Sequence, residues 1–126
     1  MILIIKGSPV AQGRPRFARI GQGVRAYDPG KSREWKAEVK RQAIQSGVKV
    51  QEGPLYMILH FQLPRPKSLP KKVVHHVKKP DIDNLAKACL DGLKGIAFRD
   101  DSQIVRLAAT KEYHTAPGVR VEIISA

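Results

Sequence analysis

The segment from Asp83 to Lys94 separates its apolar and charged residues onto opposite sides of a helix. At about 100° per residue, one arc is apolar and the opposite arc is charged. The apolar arc holds Leu85, Ala86, Cys89, Leu90 and Leu93, and the charged arc holds Asp83, Lys87, Asp91 and Lys94. A helix of this kind needs an apolar surface to cover, so the remainder of the chain must supply one.

Other segments predict that this surface is a β-sheet. The apolar run from Leu55 to Leu63 is typical of a long, mostly buried strand. Strands are also predicted at 2–6, 104–113 and 119–124, a hairpin around Gly21-Gln-Gly23, and a helix over 32–46 whose apolar face is Trp35, Val39, Ala43 and Ile44. The prediction is an α/β (α+β) fold: one two-layer domain over residues 1–126, with a mixed β-sheet and two main helices packed on it. The pattern does not give the order of the strands.

The charge balance points to a polyanionic partner. Twenty-three Lys and Arg against 11 Asp and Glu give a net charge of 23 − 11 = +12. Nucleic acid is the partner that such an excess favours, ahead of an anionic membrane surface. No apolar run approaches the roughly 20 residues that a membrane span requires, and the single cysteine permits no internal disulfide. We therefore expect a cytoplasmic protein.

Acidic residues are concentrated in one short stretch of this basic chain. Five of the 11 acids fall within 21 positions: Asp81, Asp83, Asp91, Asp100 and Asp101. Singly, they have ordinary roles, since Asp81 suits a helix cap and Asp83 an i, i+4 pair with Lys87. If the turn over 95–99 folds back, however, at least three carboxylates meet at one end of the helix. Mg²⁺ or Mn²⁺ would relieve their repulsion, whereas zinc is disfavoured because the cluster contains no histidine.

Four blocks of sequence resemble the RusA-like endodeoxyribonucleases, which resolve Holliday junctions. They are Lys79-Pro-Asp81-Ile-Asp83-Asn84-Leu-Ala-Lys87, Asp91-Gly-Leu-Lys-Gly95, Asp100-Asp101-Ser-Gln103-Ile104, and Gly7-Ser-Pro9 with Gln12-Gly-Arg14-Pro15-Arg16. The blocks stand in the family's order, and the resemblance spans nearly the whole chain. It implies a small mixed α/β domain that acts as a symmetric homodimer with Mg²⁺, Mn²⁺ being the alternative ion.

The resemblance also assigns an active site. Its metal-binding aspartates match Asp81, Asp83 and Asp101, with Asp100 as the alternative register, and its active-site lysine matches Lys87. These four residues are the predicted catalytic set. The implied activity is metal-dependent hydrolysis of branched DNA, in particular four-way junctions, and the resemblance also suggests a prophage origin.

Basic clusters on either side of the acidic stretch are the predicted DNA-binding surface. They comprise Arg14, Arg16, Arg19, Lys71, Lys72, Lys78 and Lys79. Such residues position a phosphate backbone without reading sequence. Phe17 and Tyr27 suit base stacking or core packing, and His75 and His76 suit phosphate contact or plain exposure. Two alternatives stay open: a nuclease for flaps or forks, and a non-catalytic basic nucleic-acid-binding module.

Overall fold

The computed structural model describes residues 1–13, 16–21, 23–27 and 30–126, and for residues 16–20 and 24–27 it describes the backbone alone. The elements are β1 (Ile2–Lys6), β2 (Arg16–Ile20), β3 (Gly23–Tyr27), α1 (Gly30–Gln45), β4 (Leu55–Pro64), α2 (Ile82–Leu93), a 3₁₀ turn (Asp101–Gln103), β5 (Ile104–His114) and β6 (Gly118–Ser125). Every predicted strand and helix is confirmed, with ends shifted by two residues at most.

Four of the strands form one mixed sheet in the order β1-β6-β4-β5. β4 pairs antiparallel with β6 and parallel with β5, and β1 pairs antiparallel with β6. β2 and β3 form a separate antiparallel hairpin that turns at Gly21, as the sequence predicts. The long, largely apolar strand β4 lies in the interior of the sheet, between β6 and β5.

The two helices and one face of this sheet share a single core. Alternate residues of β4 are buried, and the intervening ones are more exposed. The core takes Leu55, Met57, Leu59, Phe61 and Leu63 from β4, Trp35, Val39 and Ala43 from α1, and Leu85, Ala86, Ala88, Cys89 and Leu93 from α2. The predicted α+β architecture is therefore confirmed.

A glycine allows the two helices to approach closely. A Cβ at Gly92 would lie 2.9 Å from Val39 Cβ and 3.0 Å from the Lys36 carbonyl oxygen. Ala88 and Gly92 are both buried, although the helical projection did not assign them to the apolar arc. α2 thus buries two surfaces, one toward the sheet and one toward α1.

One sequence expectation is wrong, and several others concern side chains outside the described part of the chain. Ile44 was placed on the buried face of α1, but it is 58% exposed because that face follows Trp35, Val39 and Ala43. Phe17, Tyr27 and the arginine side chains of the hairpin region lie outside what the structure describes. Among the described helices, none is long and apolar enough to cross a membrane.

Candidate active site

The first two predicted metal ligands stand at the start of α2. Asp81 occupies the N-cap position with extended backbone, and its carbonyl oxygen accepts the Leu85 N–H at 3.0 Å. Its carboxylate accepts no hydrogen bond from an N–H of the described helix. The alternative that the Asp81 side chain serves only as a helix cap is therefore not supported. Asp83 is exposed in the first turn, where its Oδ1 lies 2.9 Å from the Asn84 nitrogen. Both carboxylates sit where the helix dipole favours negative charge.

The predicted catalytic lysine lies one turn further along α2. Lys87 Nζ stands 3.3 Å from Asp91 Oδ1, and the lysine side chain is 60% exposed. Asp91 is also paired with Lys36 of α1 at 3.2 Å, and there the lysine side chain is only 16% exposed. Asp91 therefore joins the two helices and also holds the Lys87 ammonium on the outer side of α2.

Sequence reasoning did not single out Lys36. A signal was available, because Lys36 follows Trp35 and precedes Val39 by three positions. It therefore stands at the border of the buried face of α1. The sequence does not indicate that Lys36 contacts Asp91, because this contact depends on how α1 packs against α2.

The chain reverses direction after α2 and brings Asp101 close to Lys87 and Asp91. After α2, Gly95 adopts a positive φ of 85° and its N–H donates to the Phe98 carbonyl oxygen at 2.7 Å. This turn returns the chain toward α2. Asp101 then lines a cavity of about 260 Å³ together with Lys87, Leu90, Asp91, Ile104 and Leu107. Two of the four predicted catalytic residues, Lys87 and Asp101, thus face the same space.

The neighbouring Asp100 is engaged elsewhere. Its Oδ2 accepts the Ser102 N–H at 3.1 Å and caps the 3₁₀ turn, while Lys94 Nζ lies 3.1 Å from its Oδ1. The hydrogen bonds from Ser102, followed by that from Lys94, lower the pKa of Asp100 to about 2. Asp100 is therefore held in a local structural role.

Asp81 and Asp100 lie beside opposite ends of α2. Asp81 precedes the first residue of the helix, whereas Asp100 pairs with Lys94, just beyond the last. Since α2 has 12 residues, its ends stand about 18 Å apart. The expectation that the turn would bring Asp100 to the Asp81 end is wrong, because the chain re-enters beside the C-terminal half of α2.

The described aspartate side chains match a divalent cation in donor type but not in arrangement. Their oxygen donors suit Mg²⁺ or Mn²⁺. Within the described ranges, however, no three His, Cys, Asp or Glu side chains are arranged so that they could hold one ion. The donor type therefore fits the ion, and the described arrangement is not a ready-made three-ligand centre.

The basic segment between β4 and α2, residues 65–80, is predominantly exposed. Lys71, Lys72, Lys78 and Lys79 are exposed, and the sequence holds no acid from Gly53 to Pro80. Arg65 gives the segment its shape by donating to the carbonyl oxygens of Pro70 and Val73. The other predicted DNA-binding residues, Arg14, Arg16 and Arg19, have side chains beyond the described part of the chain.

His76 corrects a sequence expectation. Phosphate contact or plain exposure was expected, but the side chain is buried and its ring lies 4.7 Å from the Tyr113 ring. This burial lowers the pKa of His76, and the nearby Lys111 ammonium lowers it further. The buried His76 imidazole therefore belongs to the packing of the segment.

These features define a class of protein: a basic α+β protein that combines a cationic surface with exposed carboxylates of the kind hydrolytic nucleases use. The family model "Endodeoxyribonuclease RusA" matches residues 6–124. The chain belongs to this family of endodeoxyribonucleases, which resolve Holliday junctions and are generally dependent on divalent metal. The resemblance inferred from the four sequence blocks is confirmed.

A curated relative extends the comparison. The chain is 35% identical to "Uncharacterized protein YqaN" of Bacillus subtilis (strain 168), over 94% of this chain and 92% of that protein. The similarity spans nearly the full length of both proteins.

Proposed function

We propose that this protein is a Mg²⁺-dependent, structure-selective endodeoxyribonuclease that resolves four-way DNA junctions by paired hydrolysis, with residues 1–126 acting as one endonuclease domain. The observation that carries the proposal is the cavity shared by Lys87, Asp91 and Asp101, in a chain that matches the RusA family from residue 6 to 124. A lysine and a carboxylate facing one space supply both signs of charge needed beside a phosphodiester.

Lys87 has the role of neutralising the reacting phosphate. Its ammonium is exposed and is held 3.3 Å from Asp91, so it can contact a phosphate without leaving the helix surface. Negative charge grows on the phosphoryl oxygens as water attacks and the bond to the 3′ oxygen breaks. A fixed cation beside those oxygens stabilises the transition state more than the ground state.

We assign Asp81, Asp83 and Asp101 as the residues that would hold the metal ion. A divalent cation would polarise a phosphoryl oxygen and lower the pKa of a bound water. The uncapped carboxylate of Asp81 and the local engagement of Asp100 support this set over one that includes Asp100. Mg²⁺ is usually bound through one or two carboxylates together with water and substrate phosphate, so binding does not require all three carboxylates to converge before DNA is present.

The DNA backbone would lie against the basic clusters. The exposed lysines at 71, 72, 78 and 79 precede the proposed metal ligands directly in the chain. With Arg14, Arg16 and Arg19 they would hold phosphates and orient the substrate. Two subunits related by a two-fold axis would present one site to each of the two symmetry-related strands of a junction, and we propose a homodimer for this reason.

The test is a panel of labelled linear, flap, forked and four-way DNA under one set of conditions, with Mg²⁺, Mn²⁺ or EDTA. We expect metal-dependent cleavage of the four-way junction by two symmetric nicks. Asp81→Asn should abolish cleavage while junction binding in EDTA persists or tightens, because one phosphate-repelling charge is lost. Glu34→Gln, which removes an exposed acid on α1, should cleave like the wild type.

Each alternative has its own outcome. Preferential cutting of flaps or forks would change the substrate and retain the chemistry. Binding of all branched DNA without cleavage under either metal would leave a non-catalytic nucleic-acid-binding protein. Equal cutting of linear duplex and junction would remove structure selectivity from the proposal.

A further inference from the structure

The second half of the basic segment, residues 74–80, is docked on the end of β5. The Tyr113 N–H donates to the Val74 carbonyl oxygen at 3.0 Å, and His75 forms an antiparallel bridge with Glu112. The buried His76 ring packs against the Tyr113 ring. Backbone and side-chain contacts therefore fix this part of the segment to the edge of the sheet.

Lys111 adds the contacts nearest to the proposed metal ligands. Its ammonium donates to the Lys78 carbonyl oxygen at 2.7 Å and to the Pro80 carbonyl oxygen at 2.9 Å. These acceptors lie three and one positions before Asp81. The side chain is half-buried, and its backbone is held in β5 opposite Phe61 of β4.

The chemistry of this contact is that of a clamp. An ammonium has three N–H donors and no acceptor, so one lysine can satisfy two carbonyls that approach from one side. Hydrogen bonds from a charged donor are stronger than neutral ones. The two carbonyls bracket Lys79, one of the predicted DNA-binding lysines, and end at the residue that precedes Asp81.

We propose that Lys111 is a positioning residue that fixes Asp81 and the first turn of α2 relative to the sheet, and so couples the DNA-binding lysines at 78 and 79 to the catalytic carboxylates. This role rests on the proposed function of that site. A DNA contact by Lys111 itself is the rival assignment. The geometry disfavours it, since the half-buried ammonium already donates to two backbone carbonyls.

The experiment compares wild type with Lys111→Met, Lys111→Arg and the control Lys49→Met, which removes an exposed lysine between α1 and β4. Hydrogen exchange is read on the peptide covering residues 74–84 and on the sheet strands, in metal-free protein. Junction affinity is measured in EDTA, and the cleavage rate is measured with protein in excess. Arginine can donate to two carbonyls at once, so it serves as the conservative rescue.

For Lys111→Met we expect exchange of the 74–84 peptide to rise by about tenfold or more while the strands keep their protection. The single-turnover cleavage rate should fall by about tenfold or more, with junction affinity within about threefold of wild type. Lys111→Arg should recover most of both losses, and Lys49→Met should match the wild type. If Lys111→Met does not fold, Lys111→Gln takes its place; it removes the charge that strengthens both hydrogen bonds, so exchange should change in the same direction by a smaller factor.

If hydrogen exchange over residues 74–84 is unchanged in Lys111→Met, the proposal that Lys111 fixes this segment is wrong. Loss of affinity in parallel with rate would instead make Lys111 a DNA contact, and a uniform loss of protection would make it a general stability residue. If the wild type cleaves no branched DNA, the proposed function fails, and the exchange measurement still decides whether Lys111 holds the segment.

Discussion

At positions 100 and 101 two adjacent aspartates have different surroundings. Asp100 accepts the Ser102 N–H and pairs with Lys94, so its carboxylate is committed to the turn. Asp101, one residue on, faces the cavity that Lys87 and Asp91 also line. Residue type is therefore not what separates the two roles; local hydrogen bonding is.

This difference predicts opposite outcomes for one conservative change. Asp101→Asn should lower single-turnover cleavage by about a hundredfold or more, as expected for loss of a charged group at a reaction centre. Asp100→Asn should leave cleavage within about threefold of wild type and lower stability instead. Cleavage assays and urea unfolding of both variants check this, and the reverse pattern would make Asp100 the active-site residue.

The sign of the stability effect follows from the pKa of Asp100. Its folded value of about 2 lies below the ordinary 3.8, so the ionised carboxylate stabilises the folded protein at neutral pH. That contribution is complete above the ordinary value and is lost as the pH falls through about 2. Asp100→Asn should therefore be less stable than wild type above about pH 4, with the gap closing toward pH 2.

At the scale of elements, the contact between α1 and α2 is the feature that builds the site. Gly92 allows the helices to meet, and next to it Asp91 pairs with both Lys36 and Lys87. Lys87, the lysine proposed for catalysis, is thus oriented through the Asp91 carboxylate, which Lys36 of α1 also helps to hold. Packing of the two helices and placement of Lys87 are coupled.

Gly92→Ala should separate the helices. The added Cβ would meet Val39 and the Lys36 backbone at 3.0 Å or less, and backbone cannot yield cheaply. We expect a net loss of about 1–2 kcal/mol in the free energy of unfolding, overpacking outweighing the better helix propensity of alanine. Urea denaturation measures it. Gly30→Ala, whose Cβ would meet no described atom within 4 Å, is the matched control, and a Gly92→Ala protein as stable as wild type would contradict the close contact.

At the scale of the whole molecule, the sign of charge is distributed unevenly. Net charge is +12, yet five of the 11 acids fall between Asp81 and Asp101, and the 28 positions from Gly53 to Pro80 hold none. A polyanion would be attracted by the molecule as a whole and repelled only where the carboxylates stand. The long-range field favours binding of a polyanion, and a cation at the proposed site would offset the local repulsion.

The excess of positive charge predicts that the affinity for a DNA junction depends on salt concentration. Junction affinity should fall steeply with salt, by about 0.9 in log–log slope for each duplex phosphate neutralised. The double change Lys71→Gln and Lys72→Gln should weaken binding and reduce that slope by up to about 2, with cleavage at saturating protein unchanged. Lys40→Gln with Lys49→Gln is the charge-matched control. A slope that the first pair leaves unaltered would remove those two lysines from the DNA surface.

Local patterns in the sequence were enough for the elements and for part of the site. Periodicity of 3.6 and of 2 residues located the helices and strands, and the helical projection placed Lys87 and Asp91, which pair in the structure, on the same charged arc. These features depend on backbone geometry over one or two turns, which a single segment carries within itself. The family blocks then named the carboxylates and the lysine.

Only the tertiary structure decided what is set by contacts between distant segments. The strand order β1-β6-β4-β5, the meeting of Lys36 with Asp91 and the clamp from Lys111 to Pro80 each join segments that are at least 31 positions apart. No local periodicity specifies which faces will meet, because that choice minimises the exposed apolar area of the whole chain. The sequence by itself therefore determined the elements and the residue types along them, and packing of distant segments determined that Asp101 faces a cavity beside Lys87 and Asp91.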